Sequence, residues 1–160
     1  MTKDLITRLN EGPVLCAEGY LFAMERRGYL QAGAFVPEVV LEHPEVLSQL
    51  HREFIRSGSD VVQAFTYYGH REKLRIIGKE NLLEPLQKNA LQIAKDSREE
   101  FKDLDLMVCG DVANTNIYDP NDKKSNIECQ KMFEEQVAWA KEAGVDFIVA
   151  ETITWVEEMK

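Results

Sequence analysis

The chain has 160 residues, and its 44% hydrophobic content is enough for one domain, residues 1–160, with a core of its own. With 19 Lys and Arg against 28 Asp and Glu, its formal net charge is −9, which argues against nucleic acid or an anionic membrane as a partner. Because the sequence has neither a run of about 18 apolar residues nor a signal-peptide pattern, we expect a cytoplasmic protein.

A short helix over residues 4–10 leads to the first predicted strand, residues 14–17, which runs directly into Glu18 and Gly19. In proteins with parallel strands the active site lies at the carboxyl ends of the strands. A carboxylate at that position cannot be buried without a partner, and glycine lets a ligand approach the backbone closely. Glu18 and Gly19 are therefore candidate substrate-binding residues.

Helical patterns fill the stretch between the first strand and the second, residues 61–65. Residues 20–28 predict one or two helical turns, and Pro44 opens a longer helix with an apolar stripe that ends at Ser57 and Gly58. The second strand leads into a polar and aromatic loop. Thr66, Tyr67 and Tyr68 follow the second strand and are candidate substrate-binding residues. Asn114, which follows the third strand, is another.

The second half of the chain repeats this alternation. Residues 71–101 are mostly helical, with interruptions predicted at Gly78 and Pro85, and residues 106–109 form the third strand. The loop that follows, residues 113–124, is long and rich in Asn, Asp and Pro. Long loops inside compact domains are often functional.

The fourth strand, residues 147–150, ends at a second carboxylate, Glu151. The helix before this strand is predicted to begin at a capping box formed by Ser125 and Glu128. Because the carboxyl ends of parallel strands meet at one edge of a sheet, Glu18 and Glu151 predict a single site at that edge.

The chain therefore consists of four predicted βα units of about forty residues each, a normal length for a βα repeat. Four parallel strands would make either a small open sheet or the first half of an eight-stranded barrel. Because the sequence stops one turn into a helix, we favour an α/β fold made of the first four βα units of a truncated (β/α)8 TIM-type barrel. Its open strand edges would favour association, so we expect a homo-oligomer.

The three cysteines, Cys16, Cys109 and Cys129, are far apart in sequence and show no CxxC spacing. This spacing argues against a disulfide framework. Each cysteine is most simply a small buried apolar residue.

Several long strings of residues are those of one known family. They are EGYLFAMERRGYLQAG at 18–33, HPE at 43–45, QLHREF at 49–54, FTYY at 65–68 and FIVAE at 147–151. They resemble the betaine–homocysteine S-methyltransferases of the homocysteine S-methyltransferase family, from about residue 5 onwards, and cover only the N-terminal half of the family's catalytic barrel. The resemblance implies an enzyme that moves a methyl group from a betaine-like onium donor to the thiol of homocysteine, giving methionine.

The resemblance also implies a cofactor. In this family a zinc ion holds the substrate thiol as the thiolate, which is the nucleophile. The zinc ligands of the family are three cysteines that would lie beyond Lys160, and none of the cysteines in this chain matches them. We therefore predict no metal ligand among residues 1–160 and an inactive chain when it is alone.

Single residues receive roles from the same resemblance. Glu151 matches a site glutamate of the family and is the predicted catalytic residue. The family usually has Asp-Gly-Gly after the first strand, where this chain has Ala17, Glu18 and Gly19. Glu18 either takes over the contact with the homocysteine amino group or marks a subgroup with another methyl donor or thiol acceptor.

The donor pocket is predicted to be aromatic. Phe35 matches the family's donor-binding tryptophan, and Tyr67 and Tyr68 match a tyrosine-bearing strand end. An aromatic face attracts a quaternary ammonium or sulfonium group by ~0.5–2 kcal/mol per contact. The sequence leaves the donor open between glycine betaine, another betaine, a sulfonium compound and S-methylmethionine.

Two other functions stay open at the level of the sequence. One is a non-catalytic truncated product that folds only by pairing with itself or with a full-length partner. The other is a barrel enzyme that uses carboxylates alone, such as a metal-assisted lyase. The lyase has the least support, because two carboxylates without nearby His ligands form a poor metal site.

Overall fold

A computed structural model describes residues 3–30 and 37–160 of the chain. The strands are β1 (Val61–Gln63), β2 (Met107–Ala113) and β3 (Phe147–Glu151). The helices are α1 (Leu5–Glu11), α2 (Tyr20–Arg26), α3 (Val39–Glu42), α4 (Pro44–Arg56), α5 (Arg71–Ile76), α6 (Leu83–Glu100), α7 (Lys123–Ala143) and α8 (Val156–Met159), and a 3-10 helix, Glu80–Leu82, precedes α6. None of these described helices is long and apolar enough to cross a membrane.

The three strands form one parallel sheet in the order β1, β2, β3. Val62 of β1 pairs with Val108 of β2, and Ala113 at the end of β2 pairs with Glu151 at the end of β3. The crossover from β1 to β2 contains α5 and α6, and the crossover from β2 to β3 contains α7. Parallel neighbours need such long connections, so the predicted alternation of strands and helices is confirmed from β1 to β3.

The prediction of a strand at residues 14–17 is wrong, because this segment forms only one bridge with β1. Cys16 forms a single parallel bridge with Val61, and the backbone N–H of Ala17 donates to the Val61 carbonyl at 3.2 Å. Pairing stops there because β1 offers only three residues and because Gly19, with φ at 82°, turns the chain into α2. The segment still runs parallel to β1, so its carboxyl end lies at the same edge of the sheet as the other strand ends.

Strand β2 is longer than predicted and continues past Cys109 to Ala113, with all of its residues buried. Gly110 allows this burial, because a Cβ atom at that position would lie 3.2 Å from the Cβ of Ala140 on α7. As a consequence, Asp111 lies inside the strand and not in the loop that follows it.

Helix α7 begins at Lys123, so the predicted capping box of Ser125 and Glu128 is wrong. Asp122 is the N-cap residue, and its side chain accepts a hydrogen bond from the backbone N–H of Lys124 at 2.9 Å. Because Asp122 already caps the helix, the Ser125 hydroxyl lies in the first turn and donates to the Asp122 carbonyl at 2.8 Å.

The helical stretch after β1 is interrupted once where the sequence predicts two breaks. Helix α5 ends at Ile76, and Gly78 follows with φ at 67°, as predicted. Helix α6 begins at Leu83, so Pro85 is its third residue, where the backbone N–H has no partner within the helix and its loss costs nothing. The predicted interruption at Pro85 is therefore wrong.

The two faces of the sheet carry different residues. One face packs on α4, α6 and α7 through an apolar core that includes Ile55, Val62, Leu91, Val108 and Ala140. Side chains alternate along a strand, so the opposite face, here called the inner face, begins with Val61, Met107 and Cys109. Towards the carboxyl ends the inner face becomes polar, and its residues there are Gln63, Asp111 and Glu151.

Candidate active site at the strand ends

A pocket of about 490 Å³ opens at the carboxyl ends of the strands, and we call it the strand-end pocket. The turn into α2 forms one side of it, and the ends of β1, β2 and β3 form its floor and the other side. Its polar lining residues are Glu18, Gly19, Gln63, Asp111, Glu151 and Thr152, and its aromatic lining residues are Tyr20, Phe22, Phe65 and Tyr67. The two predicted carboxylates, Glu18 and Glu151, therefore line one pocket.

Glu151 is the last residue of β3 and is half-buried. The Nε2 atom of Gln63 donates to the Oε1 atom of Glu151 at 2.9 Å, and the Oε1 atom of Gln63 accepts from the Sγ atom of Cys16 at 3.6 Å. Gln63 on β1 thus holds one carboxylate oxygen of Glu151 in place from across β2. The other oxygen accepts no hydrogen bond from a described residue, so it is available to a ligand.

Asp111 lies on β2, and only 3% of its surface is exposed. Its Oδ1 atom is buried and has no hydrogen-bond partner among the described residues. Burial raises the pKa of Asp111 well above its ordinary value, and the negative charge of Glu151 raises it further, while the nearby Gln63 side chain opposes the shift. Burial and the neighbouring charge therefore both favour the neutral, protonated form of Asp111.

Two thiols lie beneath the carboxylates. The Sγ atoms of Cys16 and Cys109 are 4.0 Å apart, and both cysteines are free. The hydrogen bond between them lowers the pKa of Cys16 and raises the pKa of Cys109, and burial raises the pKa of Cys109 further. Cys109 is fully buried, as predicted for a small apolar residue, whereas Cys16 is only partly buried.

The turn before α2 brings Glu18 and Gly19 to the pocket. Gly19 adopts a left-handed conformation with φ at 82°, which favours glycine because it lacks a Cβ atom. Glu18 is exposed at the rim, in contrast to the buried Asp111 and the half-buried Glu151. The three carboxyl groups of the pocket therefore differ in their exposure to solvent.

The predicted aromatic residues are divided between the pocket and its surroundings. Tyr67 lines the pocket, and its hydroxyl lies 3.2 Å from the Oγ1 atom of Thr152. Burial raises the pKa of Tyr67 to about 12. The ring of Tyr68 packs against that of Tyr67 with centroids 4.2 Å apart and planes tilted by 37°, and the Nζ atom of Lys73 lies 4.0 Å from the centre of the Tyr68 ring. Phe35 lies outside the described residues.

Thr66 and Asn114 support the pocket without lining it. The hydroxyl of the buried Thr66 donates to the backbone carbonyl of Asp111 at 2.6 Å and so ties the loop after β1 to β2. The Oδ1 atom of Asn114 accepts from the Oγ1 atom of Thr152 at 3.4 Å. These contacts hold the rim of the pocket around Thr152 and Tyr67.

Comparison with known proteins identifies the family. The family model described as homocysteine S-methyltransferase matches residues 19–160. The chain belongs to this family. Betaine–homocysteine S-methyltransferase 1 of Mus musculus is 38% identical over 161 residues, which cover 98% of this chain and 38% of the mouse protein. The protein of the same name from Sus scrofa is also 38% identical and is covered to 56%.

Solved structures give the same fold. The homocysteine methyltransferase MmuM from Escherichia coli, in a metallated form, matches with a TM-score of 0.80 at 20% identity, over 97% of this chain and 59% of that one. Its oxidized form matches with a TM-score of 0.77. The predicted α/β fold is thereby confirmed, and the family model confirms the resemblance to this enzyme family. The chain spans between about two fifths and three fifths of the relatives named here.

The residues present do not supply the zinc site that the family implies. Within residues 3–30 and 37–160, no group of three His, Cys, Asp or Glu side chains is arranged to hold a metal ion. Cys16 and Cys109 form a pair of thiols beneath the pocket, and a pair falls short of the three or four ligands that zinc takes. No chemical step is therefore assigned to a metal bound by these residues.

Gln63 and Asp111 line the pocket of this family member although the sequence did not predict them. Each is a polar residue within an otherwise apolar strand, two positions after an inner-face residue, Val61 and Cys109 respectively. Because side chains alternate between the two faces of a strand, this spacing would have placed Gln63 and Asp111 on the inner face, with Glu151. Asp111 was missed because the third strand was expected to end at Cys109, and Gln63 was missed because only residues following the predicted strand 61–65 were considered.

Proposed function

We propose that the protein transfers a methyl group from an onium donor to the thiol of homocysteine, giving methionine. The family of the chain supports this reaction, and the observation that carries it is the strand-end pocket, with Glu151 held by Gln63 on its floor. The thiol sulfur forms a bond to the methyl carbon while the bond between that carbon and the onium atom breaks. The donor leaves as a neutral amine or sulfide, and the thiol proton passes to solvent.

The charge of the pocket favours both substrates. Its lining carries three acidic residues, Glu18, Asp111 and Glu151, and no Lys or Arg from the described chain. Homocysteine carries a cationic ammonium group, and an onium donor carries a cationic ammonium or sulfonium centre, so each of these cationic groups is attracted to acidic residues in the pocket. In this proposal Glu151 contacts homocysteine and orients its thiol, which is its catalytic role.

The aromatic residues are proposed to receive the donor. Tyr67 presents its ring to the pocket beside Phe22 and Phe65, and an aromatic face attracts an onium group. The ring of Tyr68 already has Lys73 over it, so we assign Tyr67 the more direct contact. Phe35 remains a proposed donor residue on the basis of the resemblance. The name of the mammalian relatives makes betaine the first donor to test.

The larger assembly is proposed on the same basis. We infer that the described units form the first part of a (β/α)8 barrel and that zinc is bound by cysteines outside residues 1–160. A cytoplasmic location, a role in methionine biosynthesis and a homo-oligomer stay predictions. The match to an enzyme family does not favour the alternative of a non-catalytic product that folds only by association.

A methyl-transfer assay tests the proposal. The protein made from its complete gene is incubated with homocysteine and, in separate reactions, glycine betaine, a second betaine, a dimethylsulfonium compound or S-methylmethionine. We expect methionine, measured by mass spectrometry, with at least one of these donors and not without protein. Absence of methionine with all of them from a folded protein would contradict the proposed reaction.

A further inference from the structure

Asp111 is a buried carboxyl group for which neither the resemblance nor the proposed reaction has a use. It lines the strand-end pocket, its exposed fraction is 3%, and its Oδ1 atom meets no hydrogen-bond donor of the described chain. A buried polar atom without a partner is unfavourable and rare in folded proteins. A ligand with a hydrogen-bond donor would remove this cost when it enters the pocket.

The groups around Asp111 define the charge of that ligand. Glu151 on β3 and Glu18 before α2 bring negative charge towards it, and the thiols of Cys16 and Cys109 lie below. Gln63 on β1 is neutral and uses its Nε2 atom to hold Glu151. No described cationic side chain lines the pocket. The negative charge of Glu151 disfavours ionisation of Asp111, and a cation bound between the two carboxyl groups would offset that effect.

The two cationic groups of the proposed reaction differ in what they can offer Asp111. A quaternary ammonium or tertiary sulfonium group has no N–H, so it cannot donate to the Oδ1 atom. A primary ammonium group has three N–H donors, which suit one oxygen of Asp111 and the oxygen of Glu151 that Gln63 leaves unused. The amino-acid substrate therefore fits this position better than the methyl donor does.

We propose that Asp111 and Glu151 together bind the primary ammonium group of the amino-acid substrate. This inference rests on the proposed function and names the second carboxylate of its substrate site. Burial and the charge of Glu151 raise the pKa of Asp111 and so favour its protonated form before the ammonium group binds. When the ammonium group binds, it keeps its own three protons, the O–H bond of Asp111 breaks, and one proton passes to solvent.

The test uses methionine, the proposed product, because it has the ammonium group and no thiol proton to release. Its binding to the protein made from the complete gene is measured by titration calorimetry at neutral pH in two buffers with different ionisation enthalpies. The comparison ligand is 4-(methylsulfanyl)butanoic acid, which lacks only the amine. We expect methionine to bind at least about tenfold more tightly and to release a proton, and the analogue to release none.

Two variants distinguish a direct contact of Asp111 with the ammonium group from a general effect of removing a carboxylate. Asp111→Asn should weaken methionine binding by about tenfold or more and abolish proton release, while it leaves the affinity for the amine-free analogue within about threefold. Asp103→Asn changes an exposed aspartate outside the pocket. It should alter neither the affinity for methionine nor the release of the proton. Equal binding of methionine to wild type and Asp111→Asn, in a protein that makes methionine, would overturn this inference alone.

The wild-type comparison needs no variant and decides the question even if Asp111→Asn does not fold. Equal affinity and equal proton release for methionine and its amine-free analogue would overturn the inference. Failure of the wild-type protein both to bind methionine and to form it would overturn the proposed function and the inference with it.

Discussion

Asp111 combines a buried position with a negatively charged neighbour, and both features raise its pKa. The family usually has an aspartate where this chain has Ala17, and the structure offers a second carboxyl group from a different strand. Glu18, the nearest carboxylate in sequence to Ala17, is exposed at the rim. The buried Asp111 is therefore the better candidate for close contact with a small cationic group.

The raised pKa of Asp111 makes a prediction about stability. Because the folded-state pKa lies above the unfolded value, the folded protein holds a proton that the unfolded chain releases, so the favourable contribution is complete below about pH 4 and is lost as pH rises. Asp111→Asn removes this loss. Urea denaturation should show that the variant gains more free energy of unfolding, relative to wild type, at pH 8 than at pH 4.5.

Asp103→Asn is the control for that experiment, since it changes an exposed aspartate. The difference in the free energy of unfolding between Asp103→Asn and wild type should be the same at pH 8 and at pH 4.5. A free energy of unfolding for Asp111→Asn that falls below wild type by more at pH 8 than at pH 4.5 would mean that Asp111 is ionised and stabilised in the folded protein.

Pocket residues that directly follow an apolar run were predictable from the sequence, and the other polar pocket residues were not. Glu18 and Glu151 follow apolar runs directly, and both line the pocket as expected. Gln63 and Asp111 belong to the same face, but Gln63 lies within the predicted strand 61–65, and Asp111 lies in β2 beyond the predicted end of that strand at Cys109. Gly110 lets α7 pack closely on β2 just before Asp111, a contact that the sequence alone does not reveal.

Among the elements, the loop after β1 controls how Tyr67 meets the pocket. The backbone N–H of Gly69 donates to the carbonyl of Thr66 at 2.7 Å, and the Gly69 carbonyl accepts from Nε2 of Gln87 on α6 at 2.6 Å. Thr66 in turn binds the carbonyl of Asp111. The loop is therefore fixed to both β2 and α6, with Tyr67 in its middle.

Gly69→Ala should destabilise this loop. A Cβ atom at Gly69 would lie 2.9 Å from the carbonyl oxygen of Thr66 and 3.0 Å from Cδ2 of Leu86, and the backbone contact cannot give way cheaply. We expect a loss of about 1–3 kcal/mol in the free energy of unfolding, measured by urea denaturation. Gly12→Ala is the matched control, because no described atom lies within 4 Å of a Cβ atom there. Equal stability of the two variants would contradict the tight loop.

The elements show where sequence patterns stop being sufficient. Long periodic stretches correctly predicted that helices lie where α4, α6 and α7 are, because each buries an apolar stripe. The start of α7 was misplaced because Ser125 with Glu128 and Asp122 alone are both acceptable caps, and the side-chain contact decides between them. The segment at residues 14–17 fails as a strand because the length of its neighbour, β1, cannot be seen locally.

At the scale of the whole molecule, the order of the strands and the family agree. The chain runs beside β1 through residues 14–17 and then forms β1, β2 and β3 in sequence, so each unit is added at the same side of the sheet. This order brings the strand ends, and with them Glu151, to one pocket. The sequence was sufficient to predict that the strand ends meet at one edge of the sheet. How deeply each carboxylate is buried there could be seen only in the packed structure.

Kinetic comparison of wild type with Glu151→Gln tests the central claim most directly. The protein made from its complete gene is assayed with homocysteine and the donor that supports methionine formation, with circular dichroism to verify folding. We expect Glu151→Gln to raise KM for homocysteine by about tenfold or more, since it removes a charge that faces the ammonium group, and to change KM for the donor less. Glu128→Gln, an exposed change on α7, should match wild type. Unchanged KM and kcat in Glu151→Gln would contradict the assignment of the strand-end pocket as the active site.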